Sequence, residues 1–176
     1  DEIIKLFDVK DVNKTSATFD MDKLSWMDGQ YIKNMALEDI VSKVTDFLKE
    51  KNIIGEDFNK TRWADIVKIY KERIRTLEDF ISVYKIFFED EIEYDEKAVK
   101  EHLKKSNSKD IIKKLKKAIQ GLSEFDKVSI EESYRRLADE LKLKAAELIH
   151  PTRVAISGKT VGAGLFEMME LLGRDK

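Results

Sequence analysis

The stretch LEDIVSKVTDFL, residues 37–48, carries its apolar side chains at intervals of three and four residues. This spacing places side chains on one face of an α-helix, so the stretch predicts a helix with a single buried face. The positions on that face are Leu37, Ile40, Val41, Val44, Phe47 and Leu48. A strand would alternate apolar and polar side chains instead, and runs of that type are missing from the chain.

The helical period continues on both sides of this stretch. A second apolar stripe follows it at Trp63, Ile66, Val67, Tyr70 and Ile74. The segment DMDKLSWMDGQYIKNM (20–35) predicts a helix capped by Asp20, and TLED (76–79) and SIEE (129–132) place a hydroxyl three residues before a carboxylate, a pattern typical of helix starts. With one proline in 176 residues, the sequence predicts an all-α fold of eight to ten helices.

Composition excludes several classes of function. Apolar residues make up 42% and charged residues 39% of the chain, which indicates a globular protein with a charged surface. The 33 basic and 35 acidic residues nearly cancel, so the molecule as a whole is not an obvious binder of polyanions. The absence of cysteine excludes disulfides and thiolate chemistry and suits the cytoplasm. No apolar run reaches the ~18 residues of a membrane span.

Charge changes sign near residue 96. Residues 76–96 hold eight acidic residues against one lysine, whereas residues 97–120 hold nine lysines against two acidic residues. We therefore predict two helical subdomains, 1–96 and 97–176. Within the second, KDIIKKLKKAIQ (109–120) sets four apolar residues on one helix face and its lysines on the other. Those lysines form either a solvated face or a basic strip for nucleic-acid phosphates, and composition alone does not decide.

Catalytic and metal-binding patterns are not found. His102 and His150 lie far apart in the sequence, and neither has the spacing of metal ligands. The many carboxylates are ordinary for charged helices and nominate no general acid or base. We expect no catalysis by these residues and no metal site.

The segment ISGKTVGAGLFEMMELLG (156–173) contains four of the seven glycines. One hypothesis is therefore that it forms a phosphate-binding loop. Gly158, Lys159 and Thr160 match the end of the pattern Gly-x-x-x-x-Gly-Lys-Ser/Thr, but its first glycine falls on Arg153. The preceding residues also predict a helix rather than the required strand. We predict instead that Gly158 ends this helix, and that Gly162 and Gly164 allow close backbone approach before a last helix.

Two segments carry a resemblance to a known family. FDMDKLSWMDGQYI (19–32) and RVAISGKTVGAGLFEMMELLG (153–173) resemble the region that follows the catalytic part of bacterial-type glutamyl-tRNA synthetases. RIRTLEDF (73–80) matches a third block between them. The order and separation of the blocks agree with the family over almost the whole chain.

The resemblance implies an all-helical cage of two subdomains that binds the tRNA anticodon at the C-terminal end of the ligase. The family's catalytic motifs, of the His-x-Gly-His and Lys-[Met/Leu]-Ser-Lys types, are absent here, so ATP and Mg²⁺ would bind to a separate catalytic domain and no cofactor to this chain. The second subdomain would be incomplete at its C-terminus. In the whole enzyme, glutamate would be activated with ATP and attached to tRNA.

The same resemblance assigns roles to particular residues. Arg73 maps onto the arginine that reads the third anticodon base, and its presence favours an enzyme that distinguishes glutamate tRNA from glutamine tRNA. Contacts to the first anticodon base map onto Arg153, Gly162, Ala163 and Leu165, although the family often has Ser-Pro or Thr-Pro where Gly162 and Ala163 stand. Charge, rather than the resemblance, predicts phosphate contacts from Arg75, which replaces a residue that is often acidic in the family, and from Lys159, Lys113 and Lys117.

The expected partners are glutamate tRNA, with glutamine tRNA as an extended substrate, the ligase's own catalytic and stem-contact domains, and a tRNA-dependent amidotransferase. DNA and membranes are not expected as partners. Trp26 and Tyr31 are expected to be core and packing residues rather than platforms for base stacking, and to fix the angle to the stem-contact domain. Trp63 is expected to lie in the core. The alternative left open is a helical protein-interaction module without RNA binding, which the balanced net charge favours.

Overall fold

The computed structural model describes residues 2–12, 18–55, 58, 60–105 and 107–176. Within these ranges the regular elements are helices and no β-strand occurs, which confirms the all-α prediction. Every helix among the described residues is too short or too polar to cross a lipid bilayer.

The described part contains ten α-helices, at the upper end of the predicted number. In chain order they are α1 (Glu2–Leu6), α2 (Met21–Asn34), α3 (Leu37–Glu50), α4 (Lys60–Tyr70), α5 (Asp79–Phe88), α6 (Glu96–Ala98), α7 (Ser108–Gln120), α8 (Lys127–Leu141), α9 (Ala145–Ser157) and α10 (Leu165–Leu172). A 3₁₀ turn, Val9–Asp11, follows α1, and α6 runs on into a π-helical turn, Val99–Leu103.

Helix starts follow the predicted side-chain chemistry at two of three places. Asp20 accepts a hydrogen bond from the backbone N–H of Lys23 at 3.0 Å and caps α2 as expected. Thr76 and Asp79 bond reciprocally to each other's backbone N–H groups at the start of α5. The third prediction, a start at Ser129, is wrong because Asp126 caps α8 three residues earlier and accepts the N–H of Ser129 itself at 2.8 Å.

The predicted apolar faces of α3 and α4 form the core of the first half. Ile40, Val44 and Leu48 of α3 are fully buried, as is Trp63 of α4. The Trp63 ring meets a group of aromatic rings edge-on, at centroid distances of 6.0–6.3 Å from Phe58, Phe80, Tyr84 and Phe88. The prediction that Trp63 lies in the core is confirmed.

Helix α10 joins the two halves of the chain. It packs against both α4 and α8. The Tyr70 hydroxyl at the end of α4 donates to Met168 Sδ at 3.0 Å, and Arg62 Nη2 at the start of α4 donates to the carbonyl of Leu171 at 2.6 Å. One continuous apolar cluster therefore includes side chains from both halves. The subdomain boundary near residue 96 stays a prediction.

Helix α2 presents apolar side chains that the described residues cover only in part. Trp26 is 56% and Tyr31 69% exposed, and Leu24 and Met27 are exposed as well. The prediction that Trp26 and Tyr31 are core residues is therefore wrong for the described chain, because the helix face that carries them is not packed against the apolar cluster. Their packing against a stem-contact domain stays a prediction. On its other side α2 lies close to the turn that follows α4, since a side chain at Gly29 would meet the Arg75 Cα at 3.4 Å.

Candidate functional site

The turn after α4 presents Arg73 to solvent. Helix α4 ends at Tyr70, whose carbonyl accepts the backbone N–H of Arg73 at 2.7 Å and that of Ile74 at 3.2 Å. The Arg73 side chain is exposed. In the described part of the chain, its guanidinium makes no hydrogen bond or ion pair, so its donors are available to a ligand.

Asp79 fixes the shape of this turn. Its Oδ2 accepts the backbone N–H of Arg75 at 3.1 Å and that of Thr76 at 3.0 Å. Because one carboxylate oxygen holds two successive N–H groups, the segment between Arg73 and α5 is tied to the first residue of that helix. The two arginines thus extend from a constrained backbone.

The end of α9 forms a second chain segment beside the site, and Gly158 there packs closely against another part of the backbone. Gly158 adopts a left-handed conformation with φ of 70°, and its N–H bonds the carbonyl of Val154, so the predicted helix end is confirmed. Its carbonyl accepts the N–H of Asp95 at 2.9 Å. A Cβ at Gly158 would lie 2.0 Å from the carbonyl oxygen of Glu93, so the backbone admitted here is that of residues 93–95.

The close approach expected at Gly162 and Gly164 occurs at Gly158 instead. A Cβ at Gly162 would make ordinary contacts of 3.7 Å with Arg153 and the Tyr70 ring. Gly164 has a φ of −54° that any residue adopts, and a Cβ there would meet only the flexible carboxylate of Glu167. Gly162 has room for a side chain but a φ of 157° that side chains rarely adopt, so its backbone conformation favours glycine, whereas the turn does not require glycine at Gly164.

Arg153 fastens the turn between α9 and α10. Its Nη1 donates to the carbonyl oxygen of Ala163 at 2.6 Å, and the side chain is half-buried. Burial lowers the pKa of Arg153, with a smaller lowering from the nearby charge of Arg73. Burial also raises the pKa of Tyr70 to about 12, partly offset by Arg153, so the Tyr70 hydroxyl stays protonated at neutral pH.

Between the two segments lies a cleft of about 300 Å³, at the lower end of the range of ligand pockets. One wall comes from the end of α4, the following turn and α5, and the other from residues 157–162. Its lining includes Tyr70, Arg73, Ile74, Arg75, Asp79, Ser82, Val83, Ile86, Ser157, Lys159, Val161 and Gly162. We call this the basic cleft. Its apolar side chains, Ile74, Val83 and Ile86, can contact a flat ring. Its cationic side chains, Arg73, Arg75 and Lys159, can bind phosphate.

The structure places the sequence-predicted residues in three groups. Arg73, Arg75, Lys159 and Gly162 line the basic cleft, and Arg153 lies directly behind Gly162. Ala163 and Leu165 have side chains that are only 1% and 4% exposed, so these side chains belong to the core. Lys113 and Lys117 are exposed on α7 and lie outside the cleft. The ligand contacts of all these residues stay predictions.

Sequence reasoning missed Asp79 and Tyr70 as residues of the site. In the sequence, Asp79 belongs only to a helix-start pattern and Tyr70 only to the apolar stripe of α4. The signal that points to Asp79 is an acidic residue six positions after the arginine that the family block singles out. Tyr70 carries no such signal, because its position in the cleft depends on the fold.

The two histidines, remote in sequence, meet in the fold. The rings of His102 and His150 stack at a centroid distance of 5.1 Å beside a small cavity. Burial lowers the pKa of His150, and the neighbouring His102 lowers it further. Within the described ranges, no group of three or more His, Cys, Asp or Glu side chains is placed to hold a metal ion.

Comparisons with known proteins identify the family. A family model described as an anticodon binding domain matches residues 38–176. The chain is 42% identical over 172 residues to glutamate–tRNA ligase 2 of Thermoanaerobacter pseudethanolicus, covering 98% of this chain and 36% of that protein. It is 38% identical over 173 residues to glutamate–tRNA ligase 1 of Caldanaerobacter subterraneus, with the same coverage of 98% and 36%.

A solved structure shows the same fold. The glutamate tRNA ligase from Elizabethkingia meningosepticum, in complex with its amino acid, superposes with a TM-score of 0.73 at 29% identity. The match covers 99% of this chain and 34% of that one. The chain thus spans about a third of the length of the relatives it matches. The resemblance carried by the sequence motifs is confirmed.

Proposed function

The chain belongs to the anticodon binding domain family, and we propose on this premise that it reads the tRNA anticodon as the C-terminal part of a glutamate–tRNA ligase. The observation that carries the proposal is the basic cleft, which brings the exposed Arg73 together with Arg75, Lys159 and Gly162. These residues come from two segments more than 80 positions apart in the sequence.

The chemistry of the cleft suits a single base turned out of its stack. Anticodon bases are unpaired and expose their Watson–Crick edges, which side chains can read. Ile74, Val83 and Ile86 give the cleft apolar walls for a base, while Arg75 and Lys159 provide charge for the adjacent phosphates.

Arg73 distinguishes the third anticodon bases of two similar tRNAs. Glutamate anticodons end in cytosine, which offers O2 and N3 as acceptors, whereas glutamine anticodons end in guanine, which presents N1–H and N2–H donors. An arginine only donates, so it pairs with the first edge and opposes the second. A bidentate contact of this kind discriminates by roughly 1–3 kcal/mol.

The rest of the enzyme completes the activity. In the proposed ligase, other domains bind ATP, Mg²⁺ and glutamate and join glutamate to the tRNA in the cytoplasm. The exposed apolar residues of α2, among them Trp26 and Tyr31, would pack against those domains. Because α2 also lies against the turn that carries Arg73 and Arg75, this packing would position the cleft relative to the catalytic site.

The test is Arg73→Gln in the full ligase that contains this chain. We expect the ratio of kcat/KM for cytosine-ending over guanine-ending anticodons to fall about tenfold or more, because the donor fork is lost. Arg75→Gln is the matched control, since a phosphate contact weakens both tRNAs alike and leaves the ratio unchanged. A ratio that Arg73→Gln does not alter contradicts the assignment.

A further inference from the structure

The basic cleft contains one carboxylate with an oxygen to spare. Asp79 Oδ2 is occupied by the N–H groups of Arg75 and Thr76. Among the residues that the structure describes, Oδ1 has no hydrogen-bond or ion-pair partner, although Arg73, Arg75 and Lys159 line the same cleft. Asp79 therefore holds the turn with Oδ2 alone, and its Oδ1 is available to accept another hydrogen bond.

A cytosine in this cleft needs such an acceptor. The Arg73 fork satisfies O2 and N3, but the exocyclic N4 amino group is a donor that an arginine cannot serve. A polar group that loses water without gaining a partner costs binding free energy. Acidic side chains are the usual acceptors for cytosine N4.

We infer that Asp79 is a second specificity residue of the cleft, whose Oδ1 accepts a hydrogen bond from the N4 amino group of the third anticodon cytosine. The inference rests on the proposed function, because it concerns the same base that Arg73 reads. Asp79 and Arg73 together would then satisfy all three groups of the cytosine edge. The carboxylate would also disfavour uracil, whose O4 is an acceptor at the position of N4.

Other oxygens of the cleft are poorer partners. The Tyr70 hydroxyl donates to Met168 and the Ser157 hydroxyl donates to the carbonyl of Arg153, so each could accept from N4 only as a neutral oxygen, and Ser157 already accepts the backbone N–H of Lys159 at 3.3 Å. Ser82 lines the cleft one turn along α5 from Asp79 and carries a neutral hydroxyl. A hydrogen bond to a charged acceptor is stronger than one to a neutral hydroxyl, so Asp79 is the preferred partner.

The test compares two bases that differ only at N4, in the full ligase. Glutamate tRNA is prepared with cytosine or with 2-pyrimidinone as the third anticodon base, and 2-pyrimidinone keeps O2 and N3 but lacks the amino group. We expect the unmodified ligase to prefer cytosine by about tenfold to a hundredfold in kcat/KM, as for a hydrogen bond to a charged group. In Asp79→Asn the preference should fall to about one or below, because an amide N–H₂ facing N4 opposes donor to donor.

Asparagine is chosen because its side-chain oxygen can still accept the N–H groups of Arg75 and Thr76 and keep the turn. Ser82→Ala is the matched control and should retain the cytosine preference of the unmodified ligase. A preference for cytosine that survives in Asp79→Asn overturns the inference. In that case a changed cytosine-to-guanine ratio in Arg73→Gln still supports the proposed function, whereas an unchanged ratio contradicts that function separately.

Discussion

Gly158 ends α9 with a φ of 70° and lies against the backbone of Glu93 and Tyr94. Two separate physical demands meet at this residue. The left-handed conformation costs a residue with a Cβ roughly 1–2 kcal/mol. The contact with the carbonyl oxygen of Glu93, 2.0 Å from an added Cβ, leaves no space for a side chain. One residue therefore ends a helix and admits the segment leading to α6.

Comparing Gly158→Ala with Gly173→Ala distinguishes the effect of the close contact with Glu93 from the effect of backbone conformation. Gly173 has a φ of 81° with a ψ of 169°, a different conformation that side chains also rarely adopt, but nothing lies within 4 Å of an added Cβ. We expect Gly173→Ala to lower the free energy of unfolding by about 1–3 kcal/mol through backbone strain alone, and Gly158→Ala to lower it by more, since that change also displaces residues 93–95. Urea denaturation of the two variants measures this, and equal losses would contradict the close packing.

Single residues differ in how far the sequence predicts them. The role of Gly158 as a helix end follows from local pattern, because glycine is the usual residue at that position. Arg73 could be selected through the family block that contains it. Asp79 follows Arg73 in the same block. That Asp79 and Tyr70 lie in the cleft could not be predicted, because it depends on how residues 157–162 pack across the turn after α4.

At the scale of whole helices, α8 shows two residues competing to start one element. The sequence pattern SIEE favours Ser129 as the cap, yet Asp126 accepts the N–H of Ser129 at 2.8 Å and its hydroxyl at 3.2 Å. A carboxylate accepts N–H groups more strongly than a hydroxyl does. The helix therefore begins at Lys127.

Asp126→Ala and Ser129→Ala test which residue starts α8. We expect Asp126→Ala to lower the Tm clearly more than Ser129→Ala, because it removes the cap from α8. Hydrogen bonds, chiefly from the Ser129 N–H, lower the pKa of Asp126 below its ordinary 3.8. The stabilisation is thus present above pH 3.8 and is lost as pH falls through the lowered pKa. Thermal unfolding from pH 7 downwards should show the Tm of Asp126→Ala converging on the unmodified value, and a larger effect of Ser129→Ala would contradict the assignment.

The long amphipathic helices were predictable and the short ones were not. Helices α3, α4 and α7 bury the faces that their spacing indicates, as Ile111 and Leu115 do in α7. The three residues of α6 and the five of the π-helical turn are too few to show a period. Their position depends on the hydrogen bond from the backbone N–H of Asp95 to the carbonyl of Gly158. No local sequence pattern indicates this contact between distant segments.

For the molecule as a whole, the arrangement of charge matters more than its sum. The chain has a formal net charge of −2, yet Arg73, Arg75 and Lys159 converge on one cleft with Arg153 behind them. Local charge of this kind attracts a polyanion even when the total is balanced. The net charge that favoured a protein-interaction module therefore does not argue against RNA binding at this surface.

Salt dependence of tRNA binding tests this view on the full ligase, measured by titration between low and moderate salt. Each phosphate contact to a single strand contributes about 0.7 to the slope of log K against log salt. We expect the double variant Arg75→Gln, Lys159→Gln to reduce the slope by about 1.4, because both predicted contacts release counterions.

The matched variant Lys113→Gln, Lys117→Gln removes the same charge from α7, outside the cleft. An equal reduction of the slope would place phosphates along α7 as well, since each lost contact removes the same increment. If the slope of this variant is unchanged, only the predicted phosphate contacts of Lys113 and Lys117 are contradicted. If the cleft variant leaves both slope and affinity unchanged, the predicted phosphate contacts of Arg75 and Lys159 are contradicted.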